Sequence, residues 1–144
     1  MVNNWKKNRC KQLRVYIASP YWDNDPQVRH KRVQVQMSMA NTLLSLGYHP
    51  FWPLHSYFLV QHGKDTGAEI FSEEDWLLVS MSWISACDLF LRIPGDSVGA
   101  DAEETYAREK KIPVYYSIDN IILNRKEVIK PCQIPKTPES GHPK

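Results

Sequence analysis

Two short apolar runs, LRVYIAS (13–19) and CDLFLRI (87–93), constrain this chain more than any other feature. The first is rich in β-branched and aromatic residues, and each stops at a turn signal, Ser19-Pro20 in one case and Pro94-Gly95 in the other. Both read as buried strands. Two weaker runs join them. YHPFWPL (48–54) is a strand whose prolines force its C-terminal end out of the sheet, and IPVYYS (112–117) is a fourth strand.

Helical patterns fill the spaces between. Asn24 or Asp25 can cap a helix with Pro26 in its first turn. Val28, Val35, Met39, Leu43 and Leu46 give that helix an apolar stripe, and Gly47 stops it. Residues 55–71 read as a long loop or a broken helix. Ser72 opens a helix running to about Ala86, with Ser-x-x-Asp and acids in its first turn. A further helix begins at Val98 or Gly99 and ends near Lys111, and a short one spans 118–129.

Strands alternating with helices predict an α/β fold. The expectation is one doubly wound, Rossmann-like or flavodoxin-like domain with a mostly parallel sheet of four or five strands flanked by helices. The chain divides into a basic N-terminal tail (1–12), a domain (13–130) and a polar, proline-rich tail expected to be disordered (131–144). At 144 residues the chain has room for a substantial core.

Composition narrows the function classes. A formal net charge of +2 gives no case for a nucleic-acid polymer or a membrane surface as partner, and no apolar run is long enough to span a bilayer. Three widely spaced cysteines, Cys10, Cys87 and Cys132, match neither a disulfide framework nor a zinc pattern; they suit a reducing, cytoplasmic setting. His49, His55 and His62 lack metal-ligand spacing, so no metal site is expected.

In doubly wound sheets ligands bind beyond the C-terminal strand ends. That rule singles out Ser19-Pro20-Tyr21, Pro53-Leu54-His55 and the stretch from Gly95 to Gly99. Gly95 and Gly99 bracket a tight turn that opens a helix, where unpaired backbone N–H groups and the Ser97 hydroxyl could hold an anion. Asp96 opposes that role unless it points away. Glu103 lies four residues after Gly99, about 6 Å along the helix, among the small residues Ala100, Ala102 and Ala107. On helix geometry alone it complements the helix dipole.

The segments VYIASPY (15–21), LGYHPFWPLHSY (46–57) and CDLFLRIPGDSVGADAEETYAREKKIPVYY (87–116), in this order, resemble the nucleoside 2-deoxyribosyltransferase-like superfamily, which includes nucleoside 5'-monophosphate N-glycosidases. The likeness covers roughly residues 13–117 and is most specific at Ser97, Gly99, Glu103 and Ala107. It implies that Glu103 attacks the anomeric carbon of a (deoxy)ribosyl group, that Tyr16 hydrogen-bonds this nucleophile, and that Ser97 receives a 5'-phosphate. The glycosidic chemistry so implied needs no cofactor. Ser19 becomes a second phosphate or sugar contact, or else a turn hydroxyl before Pro20. Trp52 is placed to stack on a base or to pack.

An acid that the family carries two helical turns before its third strand falls, by an ungapped count, on Ser80. Asp75, five residues earlier, is on a different face. Asp88 reads as structural, Trp76 as packing, and Arg92 as pairing with an acid or reaching a phosphate. The resemblance also implies a homodimer or larger ring, with Tyr115 and Tyr116 as candidate subunit contacts. Three readings of function follow: a glycosidic-bond enzyme acting on a small nucleoside or nucleotide, a non-catalytic nucleotide-binding or sensing module, and, more weakly, a partner-binding protein using the aromatic segment 48–58.

Overall fold

The computed structural model describes residues 13–124. The N-terminal tail (1–12), the end of the expected domain, the tail 131–144, Cys10 and Cys132 lie outside the described residues. The described chain is α/β and Rossmann-like: strands β1 (Arg14–Ala18), β2 (His49–Phe51), β3 (Leu89–Arg92) and β4 (Val114–Tyr115) form one parallel sheet in the order β2-β1-β3-β4. Four strands pair among the described residues, the lower of the two numbers expected.

The order reverses at β1. The chain leaves it outward to β2 through helix α1 (Pro26–Ser45), then crosses back to β3 and on to β4. Right-handed crossovers in opposite directions put helices on opposite faces of a sheet. Accordingly Val15, Ile17, Leu89 and Leu91 face Ala40 and Leu43 of α1 together with Ile121 of α5 (Ile118–Leu123). Tyr16, Ala18 and Phe90 face Ile84 of α3 (Glu73–Ala86) and Ala100 and Ala107 of α4 (Val98–Glu109). Because strand side chains alternate, each buried strand feeds both cores.

Several expected boundaries contract. β2 is three residues long, β3 four and β4 two. Pro50 is tolerated because β2 is an edge strand, where a missing N–H breaks no central ladder. A 3-10 turn (Pro53–His55) leads into the stretch 55–71, which forms helix α2 (Ser56–Thr66) ending on Gly67 at φ 73°. Gly63 carries no side chain because loop residue Ile70 folds over it; an added Cβ would lie 3.1 Å from Ile70 Cγ1. Both prominent caps form. Asp25 accepts from Gln27 N at 2.8 Å, and Ser72 and Asp75 make a reciprocal capping box.

The stripe expected for α1 is corrected. Val35 and Leu46 are exposed, whereas the buried residues are Val33, Gln36, Ala40 and Leu43. That face also has helical spacing, but a polar residue sits in its middle. Gln36 is 0% exposed, and its Nε2 donates to Ile17 O and Ser19 Oγ, each at 2.9 Å. Its Oε1 accepts from Leu54 N at 2.9 Å. One amide therefore fastens the end of β1 to the segment after β2.

No helix among the described residues is long and apolar enough to cross a membrane.

Gln36→Leu keeps the volume but leaves Leu54 N–H and Ile17 C=O without their side-chain partner. We expect a loss of about 2 kcal/mol, read as a lower urea midpoint with an unchanged m-value.

Candidate active site

Tyr16 sits at the centre of the sheet, paired in register with Phe51 on one side and Phe90 on the other. Its ring stacks on Phe90 at 5.5 Å and tilts against Phe51 at 5.7 Å. These neighbours bury the ring and leave the hydroxyl to reach the layer of α3 and α4. There it donates to Glu103 Oε1 at 2.8 Å. A phenol held in an apolar layer needs such a partner.

Helix α4 brings Glu103 to that point. Ser97 caps it, accepting from Ala100 N at 3.2 Å, and Ala100 and Ala107 are buried on the sheet-facing side. Small residues let the helix lie close to the sheet, and Ala107, at i+4 from Glu103, shares its face. The third member is Ser80 of α3, which is 7% exposed and close enough to Tyr16 and Glu103 to influence the titration of both.

Burial raises the Glu103 carboxyl above its ordinary pKa, and hydrogen bonding from Tyr16 and Ser80 and the positive charge of Arg92 pull the other way. Burial, then the Glu103 charge, pushes the Tyr16 phenol well above the usual phenol value, with Ser80 opposing. The arrangement therefore pairs a neutral phenol donor with a carboxylate whose burial is only partly offset.

The loops at the C-terminal strand ends meet beside this cluster. Gly95 adopts φ 131°, and a Cβ there would fall 2.7 Å from Pro20 Cγ, so only glycine lets the turn after β3 touch the loop after β1. Ser97 and Gly99 form the first turn of α4, with open space at Gly99. Asp96 is exposed. Ser19 accepts from Gln36, which leaves its own hydroxyl proton available.

The remaining residues singled out in the sequence lie elsewhere. Trp52 follows Phe51 and, by strand parity, packs on the α1 face with Val15, Ile17 and Leu43, across the sheet from Tyr16 and Glu103. His55 Nδ1 lies 2.7 Å from Trp52 O, and its ring meets the edge of Phe51. Trp76 meets Phe71 edge-on. Asp88 pairs with Arg14, 3.3 Å from Asp88 Oδ2 to Arg14 Nε, at the opposite end of the sheet. Tyr115 packs against the α1-side core, and Tyr116 is tied to Glu104 and Arg108. Arg92, left open in the sequence, pairs with acids: Asp101 at 2.8 Å and Glu104 at 3.7 Å.

Gln36 was not among the expected site residues; its signal was a lone polar position inside the 33/36/40/43 stripe. Among the described residues, no group of three or more His, Cys, Asp or Glu side chains is arranged to hold a metal ion. Comparison of the chain with family models, curated proteins and solved structures gave no match.

A carboxyl whose folded pKa exceeds its unfolded value binds its proton more tightly in the native state. Stability therefore falls as pH rises from the unfolded pKa through the folded one. Glu103→Gln keeps an acceptor for Tyr16 and removes the charge. We expect the variant to melt above the parent at pH 7, with the gap closing on acidification into the ordinary carboxylate range; thermal melts across pH check this.

Proposed function

We propose that the protein cleaves or exchanges the N-glycosidic bond of a (deoxy)nucleoside or its 5'-monophosphate, as the resemblance to the nucleoside 2-deoxyribosyltransferase-like superfamily implies. The observation that carries this reading is the 2.8 Å hydrogen bond from the Tyr16 hydroxyl to Glu103 Oε1 in a half-buried setting between α3 and α4.

The chemistry follows from that bond. Tyr16 occupies one carboxylate oxygen and fixes the side chain, leaving Oε2 to attack the anomeric carbon. The C–N bond breaks, the base departs with the bonding electrons and takes a proton from solvent, and a glycosyl ester forms on Glu103. Water or an acceptor base then attacks the same carbon and releases the carboxylate. Negative charge beside the anomeric carbon stabilises the oxocarbenium-like transition states of both steps. The first turn of α4, with Ser97 and Gly99, would receive the 5' end of the substrate, and Ser19 would donate to phosphate or sugar. Ser97 serves as the N-cap acceptor, so its proton remains free to donate outward.

The reading includes a homo-oligomer, which the exposed apolar side chains Phe58, Leu59, Leu78, Val79 and Trp83 on α2 and α3 support. It also includes a cytoplasmic setting, in keeping with the widely spaced cysteines and the unpaired Cys87. One observation favours a second reading, a nucleotide-binding module without turnover: the hydroxyl of Ser80 stands where the resemblance expects an acid.

The test is release of free base from a panel of nucleosides and 5'-monophosphates, with and without an acceptor base, followed by chromatography. Glu103→Ala and Glu103→Gln should abolish release. Tyr16→Phe should lower kcat about 10- to 100-fold, the worth of one hydrogen bond to a charged group. The nucleophile must be ionised, so the rate should rise with pH through a midpoint above the ordinary glutamate value. Tyr16→Phe should move that midpoint higher, because the lost bond favoured the ionised form. Full activity in both Glu103 variants would refute the assignment, and tight nucleotide binding without base release would select the second reading.

A further inference from the structure

We propose that Arg92 is the positioning residue for Glu103: its guanidinium clamps the turn after β3 to helix α4 and thereby sets where the carboxylate stands. The catalytic consequence rests on the glycosyl-transfer reading above; the effect on Glu103 itself does not.

Arg92 is the last residue of β3 and only 5% exposed. A cation so deeply placed in a doubly wound sheet needs an account, since an unpaired one would not remain there. Strand parity puts its side chain on the same face as Phe90, towards α3 and α4, and its register partner is Ala18, two residues beyond Tyr16. From there the guanidinium fork reaches both sides of the turn. Nη1 donates to Ile93 O, and Nη2 donates to Gly95 O at 2.9 Å. Nη2 also donates to Asp101 Oδ1 at 2.8 Å, and Nε lies 3.7 Å from Glu104 Oε2. Asp101 and Glu104 flank Glu103 on α4, so the fork grips the helix before and after the reactive position.

The bonds to Ile93 and Gly95 hold the turn that Gly95 brings against Pro20. The strand end, the turn and the first two turns of α4 thus share one planar donor. A lysine has the charge but not the fork and cannot serve these acceptors together.

The same cation also acts through its field. The groups that act on Glu103 are Tyr16 from β1, Ser80 from α3 and Arg92 from β3; Asp101 and Glu104, on other faces of its own helix, pair with Arg92, and Cys87 acts on Tyr16. Arg92 is the sole cation in this set. Its charge offsets part of the effect of burial on Glu103, on the side of the ionised form that a nucleophile requires.

Two variants separate position from charge. In the full chain, the 13C-carboxyl resonance of Glu103 is titrated and base release is measured for Arg92→Gln and Arg92→Lys. Arg92→Gln, which keeps a donor for Gly95 O, should move the Glu103 midpoint to higher pH and carry the acid limb of kcat with it. Arg92→Lys should leave the midpoint near that of the parent but lower kcat about tenfold with little change in KM, and should shift the α4 amide resonances from Val98 to Glu103.

A purely structural role would lower the melting temperature without moving the midpoint. A folded Arg92→Gln with an unmoved Glu103 midpoint overturns the proposal. So does Arg92→Lys with parental kcat and unshifted α4 amides, a result that can be read even if Arg92→Gln fails to fold. If the parent releases no base, the glycosyl-transfer reading fails, while the titration and the amide shifts still decide the role of Arg92.

Discussion

Everything at the centre of this molecule depends on a phenol placed in a largely apolar layer. Tyr16 lies in the middle of the strand at which the sheet reverses its order, with covered faces on both sides. Its ring satisfies the packing between Phe51 and Phe90, but its hydroxyl cannot stay unpaired in that layer. The partner is an acid from a helix 87 residues away in sequence. That one bond ties β1 to α4 and holds a carboxylate that burial penalises. A matched ion pair at this position would be more comfortable electrostatically. The molecule retains there a carboxylate whose burial is only partly offset.

Around this centre the strand ends are held by side chains rather than by further sheet. Gln36 fastens the end of β1 to the segment after β2, and Arg92 fastens the turn after β3 to α4. Gly95 lets the loops after β1 and β3 touch. With β2 and β4 only three and two residues long, these contacts perform a task that longer ladders perform in larger sheets. The three loops where a ligand would enter are therefore defined by a few buried polar groups.

What the sequence disclosed, and what it hid, have physical causes. The strands around Tyr16 and Phe90 were legible because uninterrupted apolar runs ending in turn residues have few other uses. The starts of α1 and α3 were legible because Asp25-Pro26 and Ser72-x-x-Asp75 answer the unpaired N–H groups of a helix end. The buried face of α1 was misread because Gln36 interrupts it, and apolar patterning cannot anticipate a polar group that is buried because it is fully bonded. Helix α2 was hidden by Gly63 and Gly67, which read as loop residues although one accommodates Ile70 and the other terminates the helix. Trp52 stays open between stacking and packing in the sequence because the run 48–54 does not show where the strand ends; in the structure it directly follows β2 and packs on the α1 face. Ser80 followed from a residue count along the chain. The pairing of Tyr16 with Glu103 followed only from the family likeness, since no local spacing can reveal a contact between a strand and a helix so far apart in sequence.

Gln36 has a dynamic consequence. Because one carboxamide serves Ile17, Ser19 and Leu54 together, neither of the two segments it joins can loosen without stripping bonds from the other. Local fluctuations that would elsewhere open one loop at a time are merged into a single, rarer event. The bonding pattern makes this end of the sheet a candidate single opening unit, coupled through one side chain of α1.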